Sequence, residues 1–166
     1  MMMKKIVLTL LLCLPFVAGA QQKIAIVNTQ EVMAQMPEFK EAQNKLNELG
    51  KKYDADYKAM QQEIEKKAEA FDKEKDSLSE VLKKTRQQEI QDMVSRLGQS
   101  ERLMSEDLQK QQQMLMAPIQ QKVYDALKKV GDENGYAYIM EAQLFHYTGA
   151  SAVDCTAQLK AKLGIK

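Results

Sequence analysis

From Phe39 onward the apolar positions run Phe39, Ala42, Leu46, Leu49, Tyr53, Tyr57, Met60, Ile64, Ala68 and Phe71, in steps of three and four. That spacing puts them on one face of an α-helix and predicts a single long amphipathic helix. The steps begin as a heptad and drift toward an eleven-residue period, which straightens the supercoil that a strict heptad imposes. Pro37 suits the first turn of such a helix. No further proline occurs before Pro118, and no glycine between Gly50 and Gly98. At about 1.5 Å per residue this helix extends roughly 55–60 Å.

The pattern then lapses. Asp72-Lys73-Glu74-Lys75-Asp76 offers no apolar face, and Ser77 with Glu80 has the spacing of a capping box that opens a new helix. A second stripe follows through Leu82, Ile90, Val94, Leu97, Met104, Leu108, Leu115, Ile119, Val123, Leu127 and Val130. Two long helices joined near Ser77 predict an antiparallel hairpin. One continuous helix from Pro37 to Ala117 is the alternative. Lys128-Lys129, followed by Gly131, predicts the end of the second helix.

Residues with strand character lie only at the two ends. Lys23 to Val27 is one such run, Tyr136 to Met140 a second after the Asn134-Gly135 turn, and Leu144 to Tyr147 a candidate third. Asp154 can cap a last short helix from Thr156 to Leu163, ended by Gly164. A hairpin between the strands returns the ends to each other, so Ile24 to Val27 can pair with Ala137 to Met140. The first strand is apolar on both faces, and both must be covered. Two or three short strands are not stable alone and leave edges open. The expected fold is therefore α+β, mostly α: a long antiparallel helical hairpin over 37–117, tip near 77. It projects from a small β-containing body made of 21–36 and 118–166, and several copies share that body.

The first twenty residues read as a leader that does not belong to the fold. Lys4 and Lys5 precede an apolar run from Ile6 to Leu14, and Ala18-Gly19-Ala20 carries the small residues of a signal peptidase site, predicting cleavage after Ala20. The run is short for a membrane span. A lipoprotein would need Cys13, which follows Leu10-Leu11-Leu12 with no small residue before it. Without Lys4 and Lys5 the balance is 22 basic to 23 acidic residues, which argues against a nucleic-acid binder. One cysteine, Cys155, then remains, so no internal disulfide is available. With no Trp and many Gln, Glu and Lys, the chain can hardly bury one large core.

The leader, "KIAIVN" at the start of the expected mature chain, the Gln/Lys/Glu-rich hairpin, "YAYIMEA" and the closing "DCTAQLKAKLGI" together resemble the Skp/OmpH family of periplasmic chaperones. The resemblance implies a homotrimer with a β-barrel-like body and three helical tentacles around a cavity. That cavity would hold unfolded outer-membrane proteins without ATP. It also places Ile24, Ile26, Tyr138 and Ile139 in the body, with Val27 and Met140 on the same strands and Cys155 in a D-[apolar]-T segment. Two departures stand out: Cys155 replaces a branched aliphatic, and the arms are nearly charge-balanced where well-known members are basic. The second leaves contact with membrane or lipopolysaccharide open.

No catalytic constellation is visible. His146 is the one histidine, and neither an oxyanion signature nor a third orienting group accompanies the Cys155/His146 pair. One His and one Cys do not make a metal site of the usual kind, and no phosphate-cradling glycine loop occurs. No enzymatic activity and no cofactor are expected. Met60, Met93, Met104, Met114 and Met116 are candidate client contacts, because methionine adapts to many partners. For those on the main stripe, packing within the hairpin is the better reading, and client contact falls to residues beside it such as Met93, Met114 and Met116. Gly50 and Gly98 are candidate hinges at comparable heights on the two arms. A coiled-coil structural adaptor of the cell envelope is the competing reading.

Overall fold

The structure, a computed structural model, describes residues 22–165; the leader expected over residues 1–20 lies outside them. Strand β1 (Lys23–Val27) leads into a short helix α1 (Thr29–Gln35), then α2 (Pro37–Glu74) and α3 (Glu80–Asn134). Strand β2 (Tyr136–Glu141), a two-residue strand β3 (Val153–Asp154) and helix α4 (Thr156–Lys162) complete the chain. The molecule is mostly helical, with one three-stranded sheet in the order β2-β1-β3.

α2 and α3 form the expected hairpin, and a single turn of 3₁₀ helix (Lys75–Ser77) makes its tip. The second helix starts two residues later than the capping-box reading. Ser79, not Ser77, is the N-cap, its hydroxyl accepting from Leu82 N at 3.4 Å, while Ser77 donates to Glu74 O within the tip. At the other end α3 continues past Gly131 to Asn134, and Gly135 takes the left-handed position with φ 66°. Only glycine holds that conformation without a Cβ clash. Gly131 lies inside the helix, where an added Cβ would make an ordinary contact 3.5 Å from Ile139 Cδ1 on β2.

β1 pairs with β2 in parallel, Ile24 opposite Tyr138, Ala25 opposite Ile139 and Ile26 opposite Met140. Parallel neighbours need a long crossover, and here the whole hairpin is that crossover. The third strand is Val153–Asp154, paired with Ala25 and Ile26. Leu144 to Tyr147 is not a strand: its start lies in a 3₁₀ turn (Ala142–Leu144) and the rest is irregular and exposed. The β1 edge is taken instead by Val153–Asp154, and Cys155 N extends that pairing by donating to the Ile26 carbonyl at 2.8 Å. Thr156 Oγ1 accepts from Asn28 N at 3.0 Å; the N-cap of α4 is Cys155 rather than the expected Asp154, which sits one residue earlier and accepts from Thr156 N at 2.8 Å.

Helix α1 was not anticipated, although Asn28-x-x-Glu31 carries its signal. Asn28 Oδ1 accepts from Glu31 N at 3.0 Å, and the helix buries Val32 against the core. The core lies wholly at this end of the molecule. Ala25 and Val27 of β1, Val32, Met36 and Ala42 meet Ile119, Val123, Ala126 and Val130 of α3, with Cys155 and Leu159 closing one side.

Candidate functional site

The sheet has one covered face and one bare one. Successive strand residues point to opposite sides, so Ala25 and Val27 are buried while Ile24 is 49% exposed and Ile26 half-buried. On β2, Ile139 packs against the core, whereas Tyr138 and Met140 are exposed. Register puts Ile24 beside Tyr138 and Ile26 beside Met140. Together with Phe145, Tyr147 and Val153, Ile24 and Ile26 line an open recess of about 680 Å³. The expected two-sided cover of β1 is thus half supplied by this chain. Of the residues expected in a body, Val27 and Cys155 are core residues, Ile139 flanks the core, and Ile24, Ile26, Tyr138 and Met140 face outward.

The arm is built differently. From Gln43 to Pro118 no residue is buried. Its seam follows two interleaved heptads on α3, Ile90-Leu97-Met104-Gln111 and Met93-Ser100-Asp107, every member half-buried. Polar groups sit in it as cross-links. Tyr53 donates to Asp107 at 2.5 Å, Lys67 pairs with Glu89 at 2.5 Å, and Lys122 pairs with Glu38 where the arm meets the core. The sequence carries this signal in the heptad spacing of residues 93, 100 and 107, which apolar counting alone passes over. The lysine hydrogen bonds hold the Glu89 and Glu38 carboxyls below their ordinary range, and the Asp107 hydrogen bond raises the Tyr53 phenol.

The five candidate methionines separate. Met60 and Met93 come together, lining a groove of about 320 Å³ with Ile64 and Leu97. Met114 is half exposed and stands alone on α3. Met104 lies in the seam and Met116 against the core cluster. Exposed apolar side chains that the stripe did not single out join the surface: Val81, Leu103 and Tyr124 on α3. Leu82 and Val94, predicted on the stripe, are also exposed. A straight helix drifts about 20° per heptad, and these two fall beside the seam. Gly50 and Gly98 are not level with each other. Gly50 lines a groove with Leu46 and Leu108, whereas Leu97, next to Gly98, faces Met60, so the glycines lie about ten residues, roughly 15 Å, apart along the arm.

Cys155 is buried, and desolvation, then the charge of Asp154, push its thiol above the ordinary range; His146 is exposed in the loop after β2. Among the described residues no group of three or more His, Cys, Asp or Glu is arranged to hold a metal ion. No helix among them is long and apolar enough to cross a membrane.

The fold has relatives among known proteins. The family described as Outer membrane protein (OmpH-like) matches residues 23–163. The chain belongs to the OmpH-like family. Chaperone protein Skp of Photorhabdus luminescens is 22% identical over 139 residues, covering 82% of this chain and 84% of that protein. The crystal structure of a candidate outer membrane chaperone (OmpH-like) from Caulobacter crescentus CB15 superposes with a TM-score of 0.74 at 12% identity, over 87% of this chain and 85% of that one. As an OmpH-like chain it shares its overall fold with that solved structure.

Proposed function

We propose that this OmpH-like chain is an ATP-independent holdase of the periplasm that keeps unfolded outer-membrane proteins from aggregating. Three copies pool their sheets into one body, and three arms surround the client. The observation that carries the reading is the arm itself: no residue from Gln43 to Pro118 is buried, while Val81, Leu103 and Met114 stand out in solvent. Isolated exposed apolar residues are common, but several spread along an arm with no buried residue of its own suit many weak contacts. A client that stays disordered avoids most of the ordering cost of binding. Release needs no nucleotide, because a folding route that buries the client's apolar surface elsewhere draws it away by mass action.

The bare face of Ile24, Ile26, Tyr138 and Met140 supports the shared body, since a small sheet exposed on one side gains by burying that side. The expected leader supports the compartment. The buried thiol and exposed imidazole support a non-enzymatic role. The test dilutes a urea-denatured outer-membrane β-barrel protein into leaderless chaperone without ATP and follows light scattering. Suppression near a one-to-one ratio of client to trimer is expected. Unchanged scattering at several-fold excess overturns the holdase and leaves a structural adaptor.

A further inference from the structure

The groove at Met60 and Met93 is one place where the arm helices leave their seam open; another, at Leu46, Gly50 and Leu108, is lined by no methionine. Half-buried Ile64 and Leu97 line it, and so does Ser100, a small residue at a heptad position on its body side. On either side an aromatic ring occupies the seam. Tyr53 lies toward the body, hydrogen-bonded to Asp107, and Phe71 lies toward the tip beside Leu78 and Ile90. Between Tyr57 and Phe71 the arm supplies no aromatic residue.

We infer that this groove binds one uncharged aromatic or aliphatic side chain of an extended, uncharged polypeptide segment. The inference deepens the holdase reading and rests on it. A volume of about 320 Å³ is at the lower end of ligand-sized sites, enough for one large side chain. The rim carries Glu63 and Glu89 against Lys67 and Arg96, two charges of each sign, with Lys67 already paired to Glu89. A charged ligand group would find no net attraction there and would lose hydration, so the rim selects neutral segments. The two methionines bring flexible, polarizable thioethers that adapt to rings and branched aliphatics alike and favour contact with aromatic edges.

The protein contains no tryptophan, so a tryptophan-bearing probe reports its own surroundings. The probe is a short synthetic peptide alternating Thr or Ser with Val or Leu around one Trp, uncharged and blocked at both ends. Saturable blue-shifted emission is expected with the full oligomer. Met60→Gln with Met93→Gln should weaken binding about tenfold, and Ser100→Leu, which fills the groove without adding polarity, should weaken it likewise while raising arm stability. Leu144→Gln, exposed in the turn after β2 and away from the arm, should bind as wild type, and the same peptide with Lys or Glu flanking the Trp should bind weakly. Equal loss in Leu144→Gln, undiminished binding in Ser100→Leu, or equal affinity for the charged peptide overturns the inference. If the groove variants bind the probe as wild type while wild type still suppresses client aggregation, the groove is wrong and the holdase stands. If the probe binds in the groove but aggregation is not suppressed, the holdase is wrong.

Discussion

An added methyl group at Gly50 or at Gly98 meets nothing within 4 Å, and both glycines lie inside regular helix. Glycine costs a helix interior about 0.8–1 kcal/mol relative to alanine. The double variant Gly50→Ala/Gly98→Ala should therefore raise arm stability by up to about 2 kcal/mol in urea titrations followed by circular dichroism. If the glycines act as hinges, spin-label distance distributions between arms should also narrow; unchanged widths would leave them as plain helix weaknesses at two separate levels. Cys155 makes the opposite kind of prediction. Buried and with its thiol raised by desolvation, it should resist a thiol reagent near neutral pH until the protein unfolds. Cys155→Ser should cost about 1–3 kcal/mol, because a hydroxyl replaces a thiol in an apolar site.

The long helices owe their existence to local pattern, but the pairs that lock them together do not. Glu89 and Glu38 have carboxyls held below the ordinary 4.5 chiefly by the hydrogen bonds from Lys67 and Lys122. A folded-state pKa below the unfolded value means the stabilisation is present above about 4.5 and lost as pH falls through the folded value. Arm helicity and its urea midpoint should hold from neutral pH down to about 4.5 and decline below it. Lys67→Gln with Lys122→Gln should lower the neutral-pH midpoint and flatten the acid dependence; an unaltered acid profile would remove these pairs from the account. Hydrogen exchange should likewise divide α3, with slow amides near Val123 to Val130 and faster local opening from Ile90 to Met104, where nothing is buried. Apolar spacing made the hairpin legible, and Pro37 its first turn. The choice of Ser79 over Ser77 was not, since both serines precede acids and only the geometry of the tip separates them.

For the whole molecule, the decisive surface is the bare side of the sheet. Ile24→Glu with Tyr138→Glu puts charges there without touching Ala25, Val27 or the rest of the core. The variant should keep its helical content while its mass in solution, by sedimentation or light scattering, falls to that of one subunit. An unchanged mass would show that copies meet elsewhere. With the body dispersed, single arms should lose client protection steeply, because many weak contacts act together only while the arms share one hub.

Reading along the chain was enough to establish two amphipathic helices, a break between them, strand-forming segments at both ends, and the return of those ends to pair. Each of these follows from covalent order: apolar period, capping and turn residues, and the need of a short strand for a neighbour. Three-dimensional packing decided the rest. Val153–Asp154 displaced Leu144 to Tyr147 as the third strand because the chain after it must reach Ile26 and Asn28. The core gathered at one end because only there do α1, α3, α4 and β1 meet. Met60 and Met93, 33 positions apart, share a groove because the register of the hairpin, pinned by Tyr53–Asp107 and Lys67–Glu89, brings them level. Register depends on which side chains meet across the seam, and no local window of sequence contains both partners.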